Sequence, residues 1–144
     1  MPDDDLQILS CEWETHQDQL ASIRFKVFVE EQRVPKEMEI DEDDPHALHF
    51  LILDISNNLP IATGRLLDNG HIGRMAVIKG YRHRKVGSKL LSAIMNEARK
   101  RNMSKVFLNA QTSAVGFYEK NGFTVYGKEF MDAGIPHIKM TLTL

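Results

Sequence analysis

Cysteine is almost missing from this chain. Cys11 is the only one, which excludes an internal disulfide and any cysteine-based zinc cluster. Long apolar runs are missing too: none approaches the roughly 20 residues that a membrane helix needs. The opening Met-Pro-Asp-Asp-Asp is the reverse of a basic signal-peptide start. No repeat, low-complexity tract or linker interrupts the 144 residues, so residues 1–144 are expected to form a single domain of a soluble, cytoplasmic protein. Overall charge is also nearly absent, with 18 Lys+Arg against 20 Asp+Glu, net −2. That balance conceals a division. Residues 1–44 carry 14 acids and 4 bases, and residues 45–144 carry 6 acids and 14 bases. The basic portion favours an anionic ligand.

What is present reads as alternating strands and helices. Residues 6–13 suit an opening strand. A helix starts near Thr15 or His16, repeats Leu20, Ile23, Val27 and Phe28 at helical spacing, runs to about Gln32, and exits at Pro35. Residues 36–45 hold six acids and no apolar period, and read as an exposed loop or short turn. Three strands follow, Ala47–Ile55, Leu59–Leu67 and His71–Ile78, joined by turns at Asn57-Asn58 and Asp68-Asn69-Gly70. Val86, Leu90, Leu91, Ile94, Met95 and Ala98 mark one face of a helix reaching about Arg101, with Asn102 as its cap. Lys105–Asn109 is a strand, Ser113–Asn121 a short helix, and Phe123–Tyr126 and Ile138–Leu144 the last strands. The order predicts an α/β fold, a mixed sheet with helices on both faces.

The junction Tyr81-Arg82-His83-Arg84-Lys85-Val86-Gly87-Ser88 is the most telling segment. A helix N-terminus presents unpaired N–H groups and a positive dipole end, which together suit a phosphate. Gly87 permits close approach of a ligand to the backbone. From Arg74 to Lys105 there are ten bases and one acid, Glu97. A solvated basic helix end has the same composition.

Here the sequence resembles the GCN5-related N-acetyltransferases, and among them the small ElaA-like branch. The family's phosphate loop, Gln/Arg-x-x-Gly-x-Gly/Ala, meets Arg82-His83-Arg84-Lys85-Val86-Gly87, with Lys85 in place of the first glycine. Val27-Phe28-Val29-Glu30-Glu31-Gln32, Ala62-Thr63-Gly64-Arg65, Ile72-Gly73-Arg74-Met75-Ala76-Val77 and Leu108-Asn109-Ala110-Gln111 agree with the branch. So do Phe117-Tyr118-x-x-x-Gly122-Phe123 and Gly134-Ile135-Pro136-His137-Ile138-x-Met140. The likeness runs from about Arg24 to Met140.

The resemblance implies a mostly antiparallel mixed sheet with a splayed central parallel pair, here His71–Ile78 and Lys105–Asn109. It implies acetyl-CoA as cosubstrate; no metal is expected, on ligand geometry. Its pyrophosphate would lie on Arg82, His83, Arg84, Lys85, Val86, Gly87 and Ser88. Its pantetheine would lie along Met75, Ala76 and Val77, with Asn109, Phe117 and Tyr118 completing the site. The implied reaction is direct acetyl transfer to a primary amine of a small molecule or peptide. Tyr118 would act as acid toward the departing thiolate and the Val77 N–H would face the oxyanion. An alkylammonium, with a pKa of about 10, must lose a proton before it attacks. Candidate bases are His49, His137 and Glu31, with Glu39 and Asp41 on the expected substrate side.

The alternative for Tyr118 is packing alone, and for either histidine a structural hydrogen bond. Arg65 and Arg74 suit either a substrate carboxylate or the acidic stretch. That stretch is compatible with a cationic acceptor. His46-x-x-His49 beside Asp43 and Asp44 fails as a metal site, because strand positions three apart face opposite ways. Residues 41–45 lack the glycine and downstream Glu of a calcium loop. Cys11 reads as a small core residue. Ser88 lacks a nucleophile elbow. Two other functions fit less well: a non-catalytic acyl-CoA-binding module, and a nucleic-acid binder, whose basic patch has little aromatic interleaving. The expected partner is the amine acceptor, with no nucleic acid and no membrane; a homodimer is compatible with the resemblance.

Overall fold

The computed structural model describes residues 5–144, and the side chains of all of these except Met38 and Glu39. Strand β1 (Leu6–Glu12) is followed by α1 (Trp13–Arg24). Strands β2 (Leu48–Asp54), β3 (Leu59–Leu66) and β4 (Ile72–Val77) form the meander. Then come α3 (Val86–Lys100), β5 (Lys105–Gln111), α4 (Val115–Lys120), β6 (Thr124–Val125), β7 (Phe130–Asp132) and β8 (Ile135–Thr143). The short α2 (Lys36–Glu39) lies between α1 and β2.

The strands divide into two antiparallel groups. One has the order β1-β2-β3-β4, the other β5-β8-β6, with β7 also pairing β8. Among the described residues one parallel bridge, His71 to Phe107, links the groups, beside which Phe107 N donates to Gly70 O at 3.0 Å. Beyond it β4 and β5 part, so the expected splayed parallel pair is present.

Alternation in β2 supplies two cores. Phe50 and Ile52 pack under α3 with Leu90, Leu91, Ile94 and Ala98. Leu51, one residue out of step, packs under α1 with Leu20, Ile23 and Trp13. Each fully buried aliphatic side chain of this kind contributes on the order of 2 kcal/mol. The sheet is thereby covered on both faces. Cys11 sits in the α1 core, as its strand pattern predicted, and burial pushes its thiol up.

Three expectations need correction. The first helix does not continue to Gln32 as an α-helix. From Phe25 to Glu31 it becomes a π-helix, closed by Gln32 N donating to Val27 O. Residues 36–45 are not a plain exposed loop: α2 is followed by a 3₁₀ turn at Asp44–His46, and Asp44 is fully buried. His46 therefore precedes the strand, so the alternation argument for residues 46 and 49 does not apply. Strand β7 was not foreseen, and β8 begins three residues earlier than expected because its first residues pair with β7.

Candidate active site

The parting of β4 and β5 opens a cleft of about 860 Å³. One end is the loop before α3. His83 and Lys85 both adopt left-handed backbone conformations, φ 64° and 62°. Lys85 thus stands where glycine is easiest, and Val86 after it is already helical. A left-handed residue followed by a right-handed one turns successive N–H groups into one concavity, an anion nest. Lys89 N donates to Lys85 O, so the N–H groups of Val86, Gly87 and Ser88 precede the helical ladder. Lys85, Val86, Gly87 and Ser88 all line the cleft. At Gly87 a Cβ would stand 3.2 Å from Phe117 Cζ. The glycine therefore lets α3 begin against that ring.

The middle of the cleft is the free edge of β4. Ile78 N donates across to Ile61 O on β3. Strand alternation then directs the N–H of Val77 the other way, into the cleft. Met75, Ala76 and Val77 line it. Arg74 has φ 51° where the β3–β4 register slips. This bulge stops the edge from running straight.

Tyr118 and Asn109 stand further along the lining. Burial pushes the Tyr118 hydroxyl up to about 12, so it holds its proton throughout the neutral range. It donates to Met75 Sδ at 3.8 Å, which places it against β4. His137 lines the same space. Its Nδ1 lies 2.7 Å from Ile135 O. A carbonyl only accepts, so Nδ1 carries the proton and Nε2 of the neutral ring is left as an acceptor.

Other predicted residues are placed elsewhere. His49 is fully buried, with Nε2 at 2.9 Å from Asp44 O and its ring 5.3 Å from that of Trp13. Burial pushes its pKa down. It is a core residue under α1 and does not line the cleft. Glu31 does not line it either: both carboxylate oxygens accept from Arg82, at 2.7 and 2.9 Å. The π-helix explains the miss. At an α-helical 100° per residue, Glu31 would fall about 40° from Val27, on the cleft side toward Phe28. The wider π turn rotates less per residue, so Glu31 falls short of that position and Gln32 takes it, lining the cleft with Val27 and Phe28.

Arg82 lines the cleft but spends its guanidinium on Glu31 and its Nε on Val77 O, 2.9 Å away. It ties the loop to β4 and to the end of the π-helix alike. The Arg84 guanidinium stacks 5.4 Å above the Tyr81 ring, outside the lining. Its expected contribution reduces to backbone.

Two acids of the stretch, Asp41 and Asp44, are occupied internally. Arg24 donates to both oxygens of Asp44, at 2.8 and 3.0 Å, with both side chains wholly buried. Arg65 donates to Asp41 and Asp44, and Arg74 to Asp41. Burial alone would raise the Asp44 carboxyl. Hydrogen bonds from Arg24, the Asp41 N–H and Arg65 outweigh it and hold the group at about 2. The Glu39 side chain is outside the described residues.

Sequence reasoning did not single out Gln32, Gln111 or His71, which also line the cleft. Gln111 was within reach: it lies two residues from Asn109, on the same strand face. His71 was not, since only the stacking of its ring on Phe107, 4.7 Å between centroids, places it there.

Comparison with known proteins adds to this geometry. A protein-family model described as an acetyltransferase (GNAT) domain matches residues 12–144. The chain is 41% identical over 120 residues to the uncharacterized N-acetyltransferase YjcF of Bacillus subtilis, covering 82% of this chain and 86% of that one. It is 34% identical over 128 residues to protein ElaA of Escherichia coli, covering 84% and 83%. The crystal structure of E. coli ElaA superposes with a TM-score of 0.84 at 28% identity, over 95% of this chain and 99% of that one. An acyl-CoA N-acyltransferase from Pseudomonas aeruginosa superposes with a TM-score of 0.85 at 25% identity, over 96% and 99%.

Proposed function

The chain belongs to the GCN5-related N-acetyltransferase family and is an N-acetyltransferase of its ElaA-like branch; from that premise we propose that it moves an acetyl group from acetyl-CoA to a primary amine of a small molecule or peptide, by direct attack with both reactants in the one cleft. The observation that carries this reading is the run of that single cleft. It leads from an anion nest at the start of α3, past an outward-facing β4 edge, to a hydroxyl kept protonated by burial.

The residues fit the cosubstrate. The N–H groups of Val86, Gly87 and Ser88, with the Lys85 ammonium, receive a pyrophosphate. Met75 offers backbone groups to an extended amide-bearing arm, the Val77 carbonyl being already taken by Arg82. Acetyl-CoA supplies an activated acyl group whose C–S bond breaks as the C–N bond forms.

Each remaining demand falls on a group of the chain. His137 Nε2 accepts the proton that the attacking ammonium must lose. The Val77 N–H donates to the carbonyl oxygen as negative charge gathers there. Tyr118 gives its proton to the departing sulfur. Protons then balance: the ammonium loses two on becoming the amide nitrogen, one through His137 to solvent before attack and one as the C–N bond forms, and the second makes good the proton that Tyr118 gave to the thiol.

The test is Tyr118→Phe in a thiol-release assay with an amine panel, read beside acetyl-CoA binding by calorimetry. The reading expects kcat to fall by about 10²-fold with binding retained. Wild-type protein that binds no acetyl-CoA, or a variant with unchanged kcat, would overturn it.

A further inference from the structure

The cleft is spanned by two neutral side chains. Gln111 Nε2 donates to Gln32 Oε1 at 2.8 Å, and both residues line the cleft. Gln32 follows the π-helix on one wall, and Gln111 ends β5 on the other. Among the described residues the bridge between β4 and β5 joins His71, just before β4, to Phe107, four residues back along β5. A side-chain bond thus joins the two walls where the ladder between those strands has stopped.

The pair has a definite side. Leu108 and Ala110 belong to the core under α3, so alternation turns Asn109 and Gln111 to the opposite face. Gln111 is the register partner of His137, and cross-strand partners share a face. The two amides and the His137 ring therefore border one space, away from the α3 core.

The chemistry of that space follows from the hydrogen-bond inventory. Two amides joined by one bond leave the Gln32 NH₂ as donor and the Gln111 carbonyl as acceptor. A donor and an acceptor side by side, with no charge, complement another amide. Asp41 and Asp44 already receive arginine donors, and the carboxylate that lines the cleft, Asp132, is exposed on β7, two register positions beyond the partner of His137. Resting on the acetyl-transfer reading, we propose that Gln32 and Gln111 are specificity-determining residues of the acceptor site. The acceptor they select is an amine with a neutral amide close beside it, as in an amino-acid amide or the first residue of a peptide.

The test compares glycine amide, glycine and a short diamine as acceptors, with rates referred to the unprotonated amine. Wild type, Gln32→Leu and Gln111→Leu are measured, with the KM for acetyl-CoA determined for each. Wild type is expected to favour the amide by about tenfold, the worth of one well-placed hydrogen bond. Each variant is expected to raise the KM for the amide by a similar factor and erase the preference, with the KM for acetyl-CoA within about twofold. Wild type that turns over all three amines alike overturns this proposal and leaves the transfer reading standing. So does a parallel rise of both KM values, which marks the pair as a structural strap. Wild type that binds acetyl-CoA yet acetylates none of the three overturns both.

Discussion

Lys85 holds a left-handed backbone conformation, φ 62°, at the entrance to α3. For a residue with a Cβ that conformation costs on the order of 1 kcal/mol, and glycine escapes it. Lys85→Gly is therefore expected to raise the melting temperature by about 3 °C. The same change removes a cation from the nest and is expected to raise the KM for acetyl-CoA a few-fold at low salt, less at high salt. Thermal melts and a salt series check both. The buried Arg24–Asp44 pair acts in the opposite sense. The Asp44 carboxyl is held at about 2, against an ordinary 3.8. Its contribution to stability is complete above about pH 4 and is lost as the pH falls through 2. Denaturant titrations across that window should show the loss, and Asp44→Asn should flatten it. That variant takes the Asp44 charge away from the buried Arg24 guanidinium, at a cost on the order of 3 kcal/mol.

Elements explain where single residues end up. The π-helix at Phe25–Glu31 decides that Gln32 and not Glu31 faces the cleft. Helix α3 is drawn close to the sheet by a missing side chain: a Cβ on Gly64 would stand 2.8 Å from Ile94 Cδ1 and 3.3 Å from Met75 Cγ. Gly64→Ala is expected to cost about 1–3 kcal/mol through overpacking, read as a lower melting temperature. Met75 lies against the Tyr118 hydroxyl, so the strain is transmitted to the cleft. The loop before α3 is moored from behind. Tyr81 donates its hydroxyl in a short hydrogen bond to Asp54, which also accepts from Ser56 and Asn57. Those bonds hold the Asp54 carboxyl down at about 2. The turn between β2 and β3 thereby fixes the turn that leads into the nest.

At the scale of the whole molecule, two sheets meet, among the described residues, at one bridge and diverge. A ligand in the gap touches both, and so joins parts that share little backbone pairing. Acetyl-CoA at 100 times its Kd is expected to stabilise the fold by about 2.7 kcal/mol, seen as a rise in melting temperature. Amide exchange should slow chiefly at residues 75–77 and 109–111, the facing edges of the splay. A uniform slowing, with no emphasis on those edges, would contradict this placement.

The sequence by itself determined the element order, the two-faced core and the position of the phosphate loop. These follow from local rules, namely the period of apolar residues, the turn residues and the exposed N–H groups at a helix start. Tertiary structure alone decided which polar groups are free to act. His49 and His137 look alike as strand histidines, yet packing under Trp13 buries one and the β7–β8 hairpin holds the other in the cleft. Asp41 and Asp44, which read as part of a solvated run, are consumed by arginines 20 or more residues away. Partners so distant along the chain leave no periodic trace, because burial and pairing are properties of the assembled space and not of any one segment.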